Sequence, residues 1–147
     1  MIESLNAAVA ETLEALAFME VLPGDETEGD AGQCASEALW AGIDILEPCQ
    51  VRLAICVPVQ LAREIVVELF GLDSPEDAGQ EMLLDAMAEI INTIAGRLMT
   101  SRLGPEQTLA LGLPETGMGV LREDWDVTIF FMAGDFRFMV KIRGNLT

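Results

Sequence analysis

The longest regular pattern of apolar and polar positions in the chain runs from about Gln80 to Arg102. This segment contains no proline, and its apolar residues recur every three or four positions, which predicts one amphipathic α-helix. One face of the helix carries Leu83, Met87, Ile90, Ile94 and Leu98. The opposite face carries Asp85, Glu89, Asn92 and Gly96. We therefore expect the first face to enter a core and the second to present a carboxylate and an amide one turn apart.

Two shorter helices are predicted upstream. A first helix runs from about Ile2 to Glu20, where Pro23-Gly24 stops it. Pro58 opens the second helix at its first position, and Gly71 ends it. Ser74-Pro75-Glu76-Asp77 is a start signal for the long helix, since it places acidic residues at the positive end of the helix dipole.

Alternating apolar and polar residues predict the strands. Cys49–Val57 has this pattern, and Ser36–Leu46 is predicted as a strand from Ala38, Trp40 and its other apolar residues. A tight connection at Glu47-Pro48 joins the two. Thr108–Leu113 is a short strand candidate, followed by a turn-rich loop around Pro114. The C-terminal part of the chain, WDVTIFFMAGDFRFMVKIRG, predicts a β-hairpin whose two faces are both apolar. Both faces should therefore be covered, and a second copy of the chain could cover one of them.

Composition narrows the class of protein. With 147 residues, 51% of them hydrophobic and 22% charged, the chain suits one globular domain over residues 1–147. A net charge of −17 argues against binding nucleic acid or an anionic membrane surface. No apolar run approaches the ~20 residues that span a bilayer. The three cysteines, Cys34, Cys49 and Cys56, show no CxxC spacing, so we expect free thiols and a cytoplasmic location.

Residue types that are missing restrict the chemistry further. The chain has no histidine and no tyrosine, which removes Ser-His-Asp and Cys-His catalysis and the commonest zinc ligand. Neither phosphate-binding glycine motif is present. Glu123, Asp124 and Asp126 beside Trp125 suggest a small acidic metal-binding protein as one alternative, but they lack ligand spacing and we expect no metal. Any chemistry must therefore use carboxylates, amides, hydroxyls or lysine, or be supplied by a partner.

The polar face of the long helix has a recognisable spacing. Three residues separate Asp85 from Glu89, two separate Glu89 from Asn92, and Pro114 follows after a further 21. This pattern resembles the signature of the CheC–CheX–FliY family of chemotaxis phosphatases. The surrounding INTIAGRLMTSRLG, and ETLEALAFMEV in the first helix, resemble the CheX branch in particular.

The resemblance implies an α/β fold of the α+β type, with long helices packed on an antiparallel β-sheet. It also implies dephosphorylation of a phosphorylated CheY-like receiver domain, which brings its own aspartyl phosphate and Mg²⁺, so the chain needs no cofactor of its own. Asn92 would position the attacking water, and Glu89 would pair with the receiver's active-site lysine. Asp85 and Gly96 would contact the partner, Pro114 would shape the neighbouring loop, and the protein would be a homodimer.

Two alternatives stay open from the residues. Asp85, Glu89 and Asn92 have the pattern of the solvated side of any amphipathic helix, so the chain could be a catalytically silent CheX-like module that binds a receiver or another signalling partner. In addition, Ala10–Ala17 lines up with Ala88–Ala95, with Glu14 at the position of Asn92. A glutamate there only accepts hydrogen bonds and would repel a phosphoryl group, so we predict one active site per chain, on the long helix.

Overall fold

The computed structural model of the chain describes residues 2–24, 37–103, 107–119 and 121–144. Its helices are α1 (Ile2–Ala17), α2 (Val59–Phe70) and α3 (Gln80–Thr100). Its strands are β1 (Val21–Pro23), β2 (Ala38–Glu47), β3 (Val51–Pro58), β4 (Ala110–Leu111), β5 (Glu115–Met118), β6 (Val127–Ala133) and β7 (Phe136–Gly144). The predicted helix at 80–102, both predicted central strands and the C-terminal hairpin are therefore confirmed, with ends shifted by two residues or fewer.

The strands of the described chain form one antiparallel sheet. Its order is β1-β6-β7-β3-β2-β4, and β5 also pairs with β2. The β2–β3 hairpin turns at Glu47-Pro48, which is a cis peptide bond, and the β6–β7 hairpin turns at Gly134-Asp135. The two hairpins join where β3 pairs with β7, so the C-terminal hairpin lies inside the sheet and not at its margin.

The main core lies between one face of this sheet and the three helices. Along β3, the residues that point to the helices are Val51, Leu53, Ile55 and Val57, all buried. They alternate with residues on the other face, as the period of a strand requires. Because the described helices cover only one face, the architecture is a two-layer α+β fold, as predicted.

The helix boundaries differ from the prediction at two places. α1 ends at Ala17, not Glu20, because Phe18 adopts a left-handed backbone (φ 55°) that breaks the helix. The chain then returns as β1, which pairs with β6, so the segment before Pro23 is a strand and not a helical turn. A bulky residue at positive φ is unfavourable, and the apolar spacing upstream gave no sign of it.

The start signal at Ser74 was also assigned to the wrong element. Ser74 caps a separate 3₁₀ turn at Pro75–Asp77, and α3 begins afterwards, with Gly79 as its N-cap. The Ser74 hydroxyl donates a hydrogen bond to the Glu76 carboxylate, and this bond lowers the pKa of Glu76. Capping residues mark a helical start without specifying which helix type follows.

Smaller corrections concern α2 and the loop around Pro114. Pro58 is the N-cap of α2 instead of its first residue, while Gly71 ends the helix in the left-handed conformation, as predicted. The segment after Pro114 was predicted to be a loop, but Glu115–Met118 forms β5 against β2. Its turn-rich composition does not predict a strand. The strand forms because β2 offers backbone pairing, which matters more for a short edge strand than the β-propensity of its residues.

The second face of the sheet carries a small apolar cluster. Phe130 and Met139 of the C-terminal hairpin bury Cys56 there, and Leu121 packs against this small cluster. Phe131, on the helix side of the hairpin, is buried in the main core. One face of the hairpin is therefore buried in the main core and part of the other face in this cluster, while cover by a second copy stays a prediction. Cys49 and Cys56 are free thiols, and Cys34 lies outside the described residues.

Beside this cluster, a buried arginine binds carboxylates from distant segments. Arg52 is only 8% exposed, and its guanidinium lies 3.1 Å from Asp44, 3.0 Å from Glu115 and 3.1 Å from Glu123. Glu123 also pairs with Arg143 at 3.3 Å. Burial alone would lower the pKa of Arg52, but Asp44 and Glu123 outweigh it and raise that pKa. Glu123, which sequence reasoning considered as a metal ligand, is therefore a partner of two arginines.

Candidate functional site

The predicted polar stripe lies on the outer surface of α3. Asp85, Glu89 and Asn92 are all exposed. Within the described residues, none of their side chains makes a hydrogen bond or an ion pair to another part of the chain. Three polar groups are thus presented together on a rigid element and are available to a partner.

Packing on the other side of α3 fixes the direction of this stripe. Leu83, Met87, Ile90, Ile94 and Leu98 are buried to 3% exposure or less, as the periodicity predicted. Since helical residues three apart lie on neighbouring turns, Glu89 and Asn92 are separated by ~4.5 Å along the helix axis. Thr93 donates a hydrogen bond to the Glu89 carbonyl oxygen at 2.9 Å, which leaves the two functional side chains unaffected.

Asn92 also lines a groove between two helices. The groove has a volume of about 550 Å³ and runs between α1 and α3, so we call it the α1–α3 groove. Its lining residues are Ser4, Ala7, Ala8 and Glu11 from α1, Asn92, Thr93, Gly96, Arg97, Thr100 and Ser101 at α3, and Leu111 from β4. Sequence reasoning identified Asn92 and Gly96 but missed Glu11 and Arg97, because neither is part of the spaced motif.

Gly96 provides open space on this surface. Beyond the backbone of its own helix, a Cβ built at Gly96 would meet no atom of the described residues within 4 Å, so no packing among them requires glycine there. Glycine in a helix interior is destabilising by about 1 kcal/mol relative to alanine. Its presence in the groove is therefore unexplained by the fold and is consistent with close approach of another molecule.

Pro114 lies apart from the stripe. It is half-buried and directly precedes β5, which contacts α3 and pairs with the edge of β2. Proline lacks an N–H group and fixes its own φ, so it suits the short link between β4 and β5. Its position agrees with the loop-shaping role suggested by the sequence, and that role stays a prediction.

The echo of the motif in α1 lies on the same side of the molecule. Glu14 is exposed but does not line the α1–α3 groove, whereas Glu11 does. The two helices contact each other along the groove, which brings a carboxylate of α1 to the same cleft as the α3 amide. The sequence motif lies on α3 alone, whereas the groove that Asn92 lines is formed by α1 as well.

A metal site is not found in the described ranges. They contain no group of three or more histidine, cysteine, aspartate or glutamate side chains that could hold a metal ion. Asp126 accepts a hydrogen bond from the Gly144 N–H at 2.9 Å, and Glu123 is held by arginines. The acidic cluster at 123–126 therefore has structural partners. In the same ranges no helix is long and apolar enough to cross a membrane.

Comparisons with known proteins identify the family of the chain and its fold. The family model described as "Chemotaxis phosphatase CheX" matches residues 40–126, which include the α3 stripe and Pro114. No curated protein matches the chain. Among solved structures, the chemotaxis protein CheX from Vibrio vulnificus has a TM-score of 0.79 at 16% sequence identity, with 98% of each chain covered.

Two other solved structures share the fold. A CheX–CheY–BeF₃–Mg²⁺ complex from Borrelia burgdorferi matches with a TM-score of 0.68 at 16% identity and 97% coverage of each chain. FliY from Thermotoga maritima matches with a TM-score of 0.63 at 12% identity, covering 96% of this chain and 84% of the other. Since the family model spans more than half of the 147 residues, the chain belongs to the CheX family of chemotaxis phosphatases.

Proposed function

We propose that this protein is a phosphatase that hydrolyses the aspartyl phosphate of a CheY-like response regulator. One observation carries the proposal: Asp85, Glu89 and Asn92 form an exposed stripe on α3 without partners in the described chain. The Borrelia burgdorferi neighbour was crystallised with CheY, BeF₃ and Mg²⁺, which supports a receiver domain as the class of partner.

Asn92 is the residue that acts at the reacting atoms. Its amide oxygen accepts a hydrogen bond from a water molecule, and its amide N–H donates to an acceptor, so the group can hold water in line with phosphorus. The water oxygen bonds to phosphorus as the bond from phosphorus to the aspartyl oxygen breaks, giving inorganic phosphate and a free aspartate. Because the amide is neutral, it does not repel the phosphoryl oxygens.

The receiver contributes the remaining chemistry. Its Mg²⁺ neutralises negative charge on the phosphoryl group, so this chain needs no metal of its own. Such a division of labour suits a protein with no histidine and with no metal-binding group in its described residues. This chain then contributes only by positioning the attacking water and by holding the receiver in the right orientation.

Glu89 is the residue that fixes the receiver's orientation. Its exposed carboxylate, one turn from Asn92, forms a charge-assisted pair with the lysine of the receiver's active site. Asp85 extends the acidic stripe one turn further and supports the same docking. Gly96 permits close approach, and Pro114 maintains the loop in front of β5.

A catalytically silent binding module is the second candidate. The same observation favours it, because an exposed polar stripe can serve docking without positioning a water. The two candidates differ in whether Asn92 accelerates loss of phosphate beyond the receiver's own decay.

The test follows phosphate loss from a phosphorylated CheY-like receiver, with the wild type beside Asn92→Ala. The proposal predicts an acceleration by the wild type that falls about 100-fold or more in Asn92→Ala, while circular dichroism shows both proteins equally folded. Receivers encoded near this protein's gene are the substrates to use. If the wild type accelerates phosphate loss from none of these receivers, the enzymatic proposal is wrong, and the catalytically silent binding module becomes the better explanation.

A further inference from the structure

The α1–α3 groove contains a pair of opposite charges that the fold does not use. Glu11 and Arg97 both line it, one from each helix. Among the described residues, neither side chain makes an ion pair or a hydrogen bond, with the other or with anything else. Opposite charges in one groove that do not neutralise each other are available to a binding partner.

The lining of the groove carries no net charge, unlike the strongly acidic chain as a whole. The whole chain carries −17, yet the groove lining contains one acidic and one basic side chain, and its other members are neutral. An acidic protein that approaches elsewhere on the surface meets a negative field. At the groove the charges of the lining sum to zero, so repulsion of an acidic partner is weakest there.

Shape favours the same surface. Ala7, Ala8 and Gly96 are small residues of the lining, and no other described part of the chain comes within 4 Å of a Cβ built at Gly96. The groove is continuous with the candidate site because Asn92 lines it. A partner whose phosphorylation site reaches Asn92 therefore places its neighbouring surface in the groove.

Resting on the proposed function, we propose that the α1–α3 groove is the docking groove for the receiver, and that Glu11 and Arg97 select it. The docked segment of the receiver presents a cationic side chain to Glu11 and an anionic one to Arg97. Both residues act by positioning and do not touch the phosphoryl group. The receiver is the occupant because Asn92 lines the groove, so a phosphorylation site that reaches Asn92 brings the receiver's adjacent surface into it. A second copy of this chain has no such tie to Asn92.

The experiment measures affinity without catalysis. A CheY-like receiver loaded with beryllofluoride and Mg²⁺ is titrated into the wild type, Glu11→Lys and Arg97→Glu, with Glu68→Lys as the control. Glu68 is exposed on α2 and does not line the groove, and its substitution changes net charge as much as Glu11→Lys does. We expect each groove variant to bind about five- to tenfold more weakly and the control to bind within about twofold of wild type.

A steric variant gives an independent readout. Gly96→Leu places a side chain in the groove, where nothing in the chain opposes its Cβ. Leucine is a better helix former than glycine, so the midpoint of urea unfolding should not fall. Receiver affinity should nevertheless fall at least about tenfold, which separates blocked docking from damage to the fold.

The outcomes distinguish this inference from the proposed function. If the wild type dephosphorylates the receiver and all three groove variants bind it like Glu68→Lys does, the receiver docks elsewhere and only the inference fails. If the wild type neither binds nor dephosphorylates any receiver, both fail. If Gly96→Leu converts a dimer of this protein to monomers in sedimentation, a second copy fills the groove and the inference is overturned.

Discussion

At the scale of single residues, the position of Asn92 requires an explanation. Asparagine is a mediocre helix former that favours caps and turns, yet Asn92 lies well inside α3, exposed and without a partner among the described residues. Solvated polar residues on an amphipathic helix need no special role, but any residue with good helix propensity would serve there. The amide is what a neutral water-positioning group requires, and Glu89 lies one turn away.

Glu89 should affect binding more than chemistry. Replacing it with alanine removes a charge-assisted contact to the receiver and leaves Asn92 in place, so we expect KM to rise about tenfold while kcat changes less than about threefold. Steady-state phosphate release at varied receiver concentration separates the two constants. Glu68→Ala on α2 is the control and should change neither. A fall in kcat at unchanged KM would assign Glu89 to the chemical step instead.

Arg52 illustrates what a single residue contributes to the fold. It belongs to the polar side of the alternating pattern of β3, which predicts exposure, but carboxylates from β2, β5 and the 121–126 segment bury it. Gly42 makes room for it, since a Cβ there would lie 2.9 Å from the guanidinium. No local pattern predicts these contacts, because Arg52 and Glu123 are 71 positions apart.

Removing the Arg52 charge should destabilise the protein. In Arg52→Met, Asp44 and Glu115 lose their cation, Glu123 keeps only Arg143, and the carboxylates repel one another. We therefore expect the free energy of unfolding to fall by about 1–3 kcal/mol. The guanidinium of Arg52 is charged at every working pH, and its carboxylate partners raise its pKa further. Urea unfolding measures the loss, with the exposed Arg122→Met as the control. If Arg52→Met and Arg122→Met unfold at the same urea concentration, water solvates Asp44, Glu115 and Glu123 well enough that the Arg52 charge adds no stability.

At the scale of secondary-structure elements, long and regular patterns were predictable. α3, the central strands and the C-terminal hairpin follow from periodicity because each buries one continuous apolar face. The predicted short strand at Thr108–Leu113 is present as β4, but two other short strands were missed for the opposite reason. β1 has three residues and β5 has four, and both exist because a neighbouring strand offers them pairing. The candidate site shows the same difference. The α3 stripe is a pattern within one helix and could be predicted, whereas the groove depends on the packing of α1 against α3 and could not.

The two helices of the groove should not be equivalent in function. α1 carries Glu14 where α3 carries Asn92, and Glu14 lies outside the groove. We therefore expect Glu14→Ala to retain phosphatase activity within about twofold of wild type, because its carboxylate positions no water. The rate of phosphate loss from a receiver measures this. A loss comparable to that of Asn92→Ala, in a folded protein, would instead indicate a second site on α1.

At the scale of the whole molecule, the functional surface and the structural network lie on different layers. The helices carry the stripe and the groove, while the other face of the sheet carries the Arg52 contacts and the Cys56 cluster. Changes to one layer should therefore leave the other intact, since distant substitutions act almost additively. The predicted homodimer stays a prediction, and the Cys56 cluster already buries part of the hairpin face that a second copy was expected to cover.

The most direct test of the central claim is turnover. This protein is mixed with a phosphorylated CheY-like receiver at a molar ratio of about one to fifty, and released inorganic phosphate is followed over time. An enzyme whose Asn92 positions water releases many phosphates per chain at a rate well above the receiver's own decay, and Asn92→Ala returns the rate to that of the receiver alone. Release that never exceeds the receiver's own decay would contradict the account.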